Sequence, residues 1–174
     1  MRLGNLERNN YVRKQLEKAS IELLKEKELK DITINEIVDA AGVSRVSFYR
    51  NYEDKEDVIS TFVARLILDW HTKNVKQFEE AKKNTGTDDL MLKSLFNFLK
   101  ENKDLMVLLQ NRKLFYLFRD AFIGLYGPKP EYPNIGAYIS AYAFYGIYGW
   151  IEEWVKRGMQ ESGEDMINLL KQSR

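Results

Sequence analysis

Apolar residues recur three and four positions apart along most of this sequence, and this spacing restricts the fold more than any other feature. Leu16, Ala19 and Leu23 show it early in the chain, and Phe62 and Leu66 show it later. No stretch of useful length alternates apolar and polar residues as a half-buried strand does. Three prolines and ten glycines supply few turns for a chain of 174 residues. The sequence therefore predicts an all-α protein of about nine helices.

Two helices separated by a tight turn are predicted between residues 33 and 51. Thr33 and Glu36 form the pattern of a capping box, in which each side chain bonds the other residue's backbone amide. Gly42 is expected to end the first helix, because glycine adopts a left-handed backbone at no steric cost. Ser44 is a favoured N-cap for the next helix. This arrangement has the anatomy of a helix-turn-helix, whose second helix enters the major groove of DNA.

Helix boundaries elsewhere rest on weaker signals. Residues 1–8 are polar and lack periodicity, so we expect a loose arm there and a first helix from about Asn10. Residues 105–126 predict one aromatic-rich helix with a kink near Asn111. Three further residues are predicted helix caps, namely Asp54, Asp88 and Ser162.

Side chains on and around the second helix of the predicted helix-turn-helix have the chemistry that DNA contacts need. Arg45, in its first turn, can bond O6 and N7 of guanine, and Val46 can touch a thymine methyl group. The hydroxyl groups of Ser44, Ser47 and Tyr49 can hold phosphate oxygens. The candidate DNA-binding residues are Thr33, Ser44, Arg45, Val46, Ser47, Tyr49, Arg50, Asn51 and Lys55.

Net charge gives this interpretation no support. The chain carries +1 overall, and residues 1–60 contain eleven Lys or Arg against twelve Asp or Glu, a net of −1. A DNA reader normally has a basic face, so its positive charges would have to be segregated. Lys55 and Thr33, each at a helix start, are candidate anion sites. The alternative is a set of packed helices with a solvated surface that does not bind DNA and acts through protein contacts.

Several classes of chemistry lack the residues that they need. The chain has no cysteine and a single histidine, His71, so disulfides, cysteine-bound metals and histidine-rich metal sites are excluded. No phosphate-binding loop, dinucleotide fingerprint or nucleophile elbow is present. The acidic pairs at 88–89 and 152–153 are adjacent in sequence and point apart on a helix. We therefore expect no enzyme activity, no cofactor and no catalytic or metal site.

A cytoplasmic location is expected, without contact to a membrane. The first residues contain no apolar core typical of a secretory signal. Residues 132–151 lack charge, but they include a proline, three glycines and five tyrosines, which makes them too polar for a membrane span. This segment instead predicts a buried or interface helix.

Residues 32–37, 40–52 and 54–56 read ITINEI, AAGVSRVSFYRNY and DKE, and they resemble the signature of the TetR/AcrR family of transcriptional repressors. Val46 stands where glycine is frequent in the family and Asn51 where histidine or tyrosine is common, which leaves the base preference open. The resemblance implies a DNA-binding domain over residues 1–53 and a helical ligand-binding and dimerisation domain over residues 54–174. The matching residues are Gly42, Val43, Ser44, Tyr49, Lys55 and Glu56.

The resemblance also implies a homodimer formed by the last two helices. Such a dimer would place two recognition helices about one DNA turn apart and would predict an inverted-repeat site. The alternative is that residues 134–157 form the central core helix of the domain. Small and aromatic residues suit a close helix pair, and the candidate interface residues are Ala141, Tyr142, Tyr145, Gly146, Gly149 and Trp150.

A small-molecule effector is the remaining implication of the resemblance. Family members bind it inside the C-terminal bundle, and an apolar or aromatic compound would suit the residues present here. Binding would favour a dimer unable to hold its operator, which makes the chain a repressor released by its ligand. The alternative is that these aromatic residues are plain core. The candidate pocket residues are Phe62, Leu66, Trp70, His71, Phe96, Gln110, Phe115, Phe118 and Arg119.

Overall fold

The structure is a computed structural model that describes residues 3–172, with side chains from residue 7 onward. This part of the chain contains nine α-helices, one 3₁₀ turn (Leu29–Asp31) and no strand, which confirms the predicted all-α fold. The helices are α1 (Leu3–Glu26), α2 (Ile34–Ala41), α3 (Arg45–Tyr49), α4 (Lys55–Thr85), α5 (Asp89–Glu101), α6 (Lys103–Asn111), α7 (Tyr116–Tyr126), α8 (Asn134–Lys156) and α9 (Gly163–Gln172).

The chain forms two compact units, and the first ends at Arg65 within α4. In the first unit α1 packs against α2, and α2 packs against α3. Leu16 and Leu24 of α1, Ile37 of α2 and Phe48 of α3 are fully buried. These apolar side chains stabilise the unit by leaving water, and they fix the position of the short helix α3.

The second unit begins at Leu66 and contains three main helix pairings. Helix α5 packs along α9, while α6 and α7 pack against α8. Gly163 allows the close approach of α9 to α5, since a Cβ atom there would lie 2.1 Å from Oδ1 and 2.9 Å from the backbone nitrogen of Asn97. Phe96, Leu99, Phe118 and Ile151 are among the fully buried side chains of this unit.

Helix α1 begins at Leu3, so the predicted loose arm over residues 1–8 is wrong where the structure describes it. Residues 1–2 lie outside the described part. A helix that has nucleated on an apolar face extends through polar residues at little cost, because each added residue gains a hydrogen bond.

The predicted single helix over residues 105–126 is interrupted rather than kinked. Helix α6 ends in a Schellman motif, in which the Leu114 amide donates to the Leu109 carbonyl at 2.8 Å and the Lys113 amide to the Gln110 carbonyl at 3.1 Å. Lys113 takes the left-handed conformation with φ 60° that glycine usually supplies. Because this position holds lysine and not glycine, the end of α6 could not be predicted from the residue types.

Most of the predicted caps are present. The Asp54 carboxylate accepts from the Asp57 amide at 2.9 Å, and the Ser162 hydroxyl accepts from the Asp165 amide at 3.1 Å. Asp88 is the exception, because its side chain makes no capping hydrogen bond and instead pairs with Lys82 at 2.9 Å. The cap prediction at Asp88 is wrong because the ion pair takes the carboxylate.

Among residues 3–172, no helix is long and apolar enough to cross a membrane. The same residues contain no cluster of three or more histidine, cysteine, aspartate or glutamate side chains that could hold a metal ion.

Candidate nucleic-acid interface

The start of α2 is fixed by the predicted capping box. The Glu36 amide donates to the Thr33 hydroxyl at 3.2 Å, and the Thr33 amide donates to the Glu36 carboxylate at 2.8 Å. Lys27 pairs with the same carboxylate. The Lys27 contact, followed by the two hydrogen bonds from Thr33, lowers the pKa of Glu36 to about 2. The Thr33 hydroxyl also donates to Glu36 at 2.9 Å, so the cap already uses much of its hydrogen-bonding capacity.

The turn between α2 and α3 follows from Gly42 and Ser44. Gly42 has φ 64° and ψ 35°, and the next amide, that of Val43, donates back to the Val38 carbonyl at 3.0 Å. The Ser44 hydroxyl then caps α3 by accepting from the Ser47 amide at 3.1 Å. The two serine hydroxyls also lie 3.0 Å apart. These local bonds confirm the predicted helix-turn-helix connection.

Helix α3 has one buried side and one exposed side. Phe48 is fully buried, and Tyr52 just beyond the helix is 3% exposed. Away from Phe48, Val46 is 59% exposed, and Tyr49, which follows Phe48, is 53% exposed. The remaining candidates here divide by exposure, with Ser44, Arg45 and Arg50 exposed and Ser47 and Asn51 half-buried.

Two candidate side chains of this segment bond each other. The Arg45 guanidinium donates to the Tyr49 hydroxyl at 3.4 Å, and its central carbon lies 5.9 Å from the centre of the Tyr49 ring. Asn51 is engaged differently, because its amide donates to the Ser47 carbonyl at 2.8 Å. The Asn51 side chain thus closes the end of α3.

Lys55, predicted as an anion site, lies at the start of α4 with its ammonium turned towards backbone carbonyls. It donates to the Ile32 carbonyl at 2.7 Å and to the Lys30 carbonyl at 2.9 Å. These bonds tie the start of α4 to the 3₁₀ turn before α2. An ammonium has three protons, so one remains for another acceptor.

A buried carboxylate behind α3 was missed by sequence reasoning. Glu17 is 3% exposed, pairs with Arg65 of α4 and accepts from the Tyr52 hydroxyl at 3.1 Å. Arg13 lies over the Tyr52 ring, 6.0 Å from its centre. Burial raises the pKa of Tyr52 to about 12, and the hydrogen bond with Tyr52 raises the pKa of Arg13. The available signal was a glutamate beside Leu16 on the apolar face of α1.

The candidate effector residues differ in their burial and in their hydrogen-bond partners. Gln110 has a buried side-chain oxygen without a hydrogen-bond partner, and Arg119 pairs with Asp120. His71 Nδ1 lies 2.7 Å from the hydroxyl of Tyr126, whose pKa is raised to about 12, mainly by burial. The other candidates comprise half-buried Phe62 of the first unit and, in the second, half-buried Leu66 and buried Trp70, Phe96, Phe115 and Phe118.

The candidate dimer residues lie on the exposed side of α8. Tyr142 is 85% exposed, and Ala141 and Trp150 are half-buried. A groove of about 510 Å³ separates the end of α8 from α9. Sequence reasoning did not extend this surface to the start of α8, where three more apolar side chains are exposed. The exposed α8 face comprises Ile135, Tyr138, Ile139, Tyr142, Tyr145, Gly146 and Gly149.

Comparison with known proteins gives two kinds of match. The family model for bacterial regulatory proteins of the tetR family matches residues 17–61, and the model for a transcriptional regulator C-terminal region matches residues 89–173. Two relatives from Bacillus subtilis (strain 168) are named as uncharacterized HTH-type transcriptional regulators. YxbF is 26% identical over 176 residues, covering 92% of this chain and 45% of YxbF. YdgC is 34% identical over 101 residues, covering 53% of this chain and 50% of YdgC.

The chain therefore spans about half the length of the curated relatives it matches. The two family models together cover the helix-turn-helix and most of the second unit. Their matches agree with the geometry of α2, its left-handed turn and α3, and the chain belongs to the TetR family of regulatory proteins.

Proposed function

We propose that this chain is a repressor that binds an inverted-repeat DNA operator as a homodimer and is released by a small apolar or aromatic effector. It would act in the cytoplasm, where bacterial DNA lies. The observation that carries the proposal is α3, a short helix anchored by fully buried Phe48, on which an arginine, a valine and a tyrosine are exposed. In this proposal residues 1–53 bind DNA, and residues 54–174 dimerise and bind the effector.

Base reading is assigned to the first turn of α3. Arg45 is exposed at the first position of the helix, and its guanidinium matches the O6 and N7 acceptors of guanine. Val46 is exposed beside it and supplies an apolar contact for a thymine methyl group. Together these two side chains would distinguish adjacent base pairs in the major groove.

Contacts to the DNA backbone are assigned to the polar side chains around α3. The Ser44 and Ser47 hydroxyls bond each other and Ser44 also caps the helix, yet both hydroxyl groups retain hydrogen-bonding capacity. Thr33 and Lys55, partly used by the α2 cap and by backbone carbonyls, would bind phosphate with what remains. The other backbone contacts would come from Tyr49, Arg50 and Asn51.

Dimerisation is assigned to the exposed α8 face. Its members recur three and four positions apart, so they form one apolar stripe along the helix. Soluble monomers rarely expose large contiguous apolar patches. A second copy related by a two-fold axis would bring the same stripe against this one and cover both. Trp150 and Ala141 would lie at the edge of that contact.

Effector binding is assigned to the second unit. The unpartnered Gln110 oxygen is a polar group that a ligand could satisfy. Stacked rings lie in the same unit, with Phe115 and Phe118 centroids 5.2 Å apart. An aromatic or apolar compound would suit such a core, and its binding would shift the dimer away from the DNA-binding state.

The test is selection of duplex DNA from a random pool, using protein refolded free of small molecules at one near-physiological salt concentration. Wild-type protein should enrich an inverted repeat with half-sites about one DNA turn apart. Arg45→Ala should relax the preference at one base pair of each half-site and cost about 1–3 kcal/mol. Lys83→Ala, which removes a charge from an exposed position of the second unit, should change neither. Folded wild-type protein that enriches no sequence would refute the proposal.

The dimer is tested separately by sedimentation. Tyr142→Glu places a charge at the most exposed tyrosine of the α8 face, and we expect it to convert the dimer to a monomer. Tyr11→Glu is the matched control, since Tyr11 is also exposed but lies on α1. A Tyr142→Glu variant that remains a dimer would contradict the assignment of this face.

A further inference from the structure

Of the two arginines in residues 44–52, Arg45 is the one whose guanidinium contacts another side chain. Its guanidinium lies over the Tyr49 ring, at 5.9 Å from the ring centre, and also donates to the Tyr49 hydroxyl at 3.4 Å. The two residues are four positions apart, a spacing that places side chains next to each other on a helix. Arg50, which is also exposed, makes no such side-chain contact within the described residues.

The Tyr49 ring is held in turn by a contact with a buried residue of the first unit. It meets the Phe48 ring edge-to-face, with centroids 5.4 Å apart, and Phe48 is fully buried. A chain of contacts therefore runs from the core of the first unit through Phe48 and Tyr49 to the Arg45 guanidinium. An exposed arginine without such contacts samples many rotamers and loses that freedom on binding.

We propose that Tyr49 is a positioning residue that holds the Arg45 guanidinium ready to read guanine. This inference rests on the DNA-binding function proposed above, and it assigns Tyr49 a role in base preference in addition to any phosphate contact. The tyrosine ring restricts the guanidinium by cation–π attraction, and the hydroxyl restricts it by a hydrogen bond. A guanidinium fixed in this way presents its planar, two-pronged donor set to the major groove with less entropy left to lose.

The inference makes the effect of Tyr49 depend on Arg45. If Tyr49 only held a phosphate, its loss would weaken every sequence alike, because phosphate contacts carry no base information. If it positions Arg45, its loss would reduce the preference for guanine at the base pair that Arg45 reads. The measured quantity is thus a ratio of two dissociation constants. The numerator is the constant for a duplex in which that base pair is replaced, and the denominator is the constant for the selected duplex.

The experiment measures this ratio at fixed salt for wild type, Arg45→Ala, Tyr49→Phe, Tyr49→Leu and the double variant of Arg45→Ala with Tyr49→Leu. The base pair read by Arg45 is identified as the position at which Arg45→Ala lowers this ratio by roughly ten- to a hundredfold. Tyr49→Leu should lower the ratio by about three- to tenfold, and Tyr49→Phe, which keeps the ring, by about twofold. Tyr11→Leu is the control, because Tyr11 is an exposed tyrosine outside α3.

In the Arg45→Ala background, Tyr49→Leu should leave the ratio unchanged. The inference is overturned if Tyr49→Leu weakens all duplexes alike, raises the ratio, or acts equally when Arg45 is absent. If wild-type protein prefers no sequence at all, the proposed DNA-binding function fails first, and the inference fails with it. Equal circular dichroism spectra and melting temperatures among the variants would separate these outcomes from loss of the fold.

Discussion

Replacement of Glu17 by alanine should destabilise the first unit more than any exposed charge removal. The Glu17 carboxylate is buried and contacts both Arg65 of α4 and the Tyr52 hydroxyl beyond α3. Removing one partner of a buried polar cluster leaves the others without their bonds, which costs more than the cluster contributes when intact. Tyr52 packs on Phe48, the buried anchor of α3, with ring centroids 6.1 Å apart.

The size of this loss in stability follows from how exposed the two partners of Glu17 are. Tyr52 is 3% exposed, so a hydroxyl that loses its acceptor there costs about 1–3 kcal/mol. The Arg65 side chain is 36% exposed, so water can solvate its guanidinium, and loss of that pair adds about 0–1 kcal/mol. Loss of the buried methylene adds about 1 kcal/mol. We therefore expect Glu17→Ala to lower the free energy of unfolding by about 2–5 kcal/mol.

Urea unfolding followed by far-ultraviolet circular dichroism measures this loss. Glu22→Ala is the matched control, because Glu22 is also on α1 but its side chain is 57% exposed and pairs with Lys25. That control should cost less than about 0.5 kcal/mol. If Glu17→Ala were as mild as the control, the interpretation of Glu17 as the polar anchor behind α3 would be refuted.

Three further predictions concern helix ends. The Glu36 pKa of about 2 lies below its ordinary value of 4.5, so the contacts of its carboxylate with Lys27 and Thr33 stabilise the fold above pH 4.5 and are lost as the pH falls towards 2. The melting temperature of the wild-type protein should therefore fall over that pH range, and that of Glu36→Gln should fall less steeply. Gly42→Ala should cost about 1 kcal/mol in urea unfolding, because φ is 64° although nothing blocks a Cβ atom, and an unchanged midpoint would contradict this. Lys113→Gly should instead stabilise the fold by up to about 1 kcal/mol, since φ there is 60°, and a lowered midpoint would be the contrary result.

The helix-turn-helix was predictable from sequence because its determinants are local. Thr33 and Glu36 are three residues apart, Ser44 and Ser47 likewise, and Gly42 stands alone as a helix end. Each of these bonds forms within one helical turn, so the residue types and their spacing are sufficient to predict it.

Other features depend on contacts between residues that are distant in sequence. Glu17 meets Tyr52 and Arg65 across 35 and 48 positions, and no spacing rule connects them. The end of α6 at Lys113 lacks the glycine that usually marks such a turn.

The exposed and buried apolar faces of α8 also look alike in sequence. Ile135 and Ile139 recur with the same helical spacing as buried side chains elsewhere, yet they are exposed, because only the opposite face of α8 receives α6 and α7. Periodicity identifies an apolar stripe. Tertiary packing decides whether the stripe is covered within the chain.

The most direct test of the central claim compares two dissociation constants at the same salt concentration, for the selected duplex and for a scrambled duplex of equal length and composition. A regulator that reads bases through α3 should bind the selected duplex at least about 10³-fold more tightly. Arg45→Ala should reduce that ratio, and Lys83→Ala should preserve it. A ratio near one for folded, effector-free protein would contradict the claim that this member of the TetR family recognises a DNA sequence.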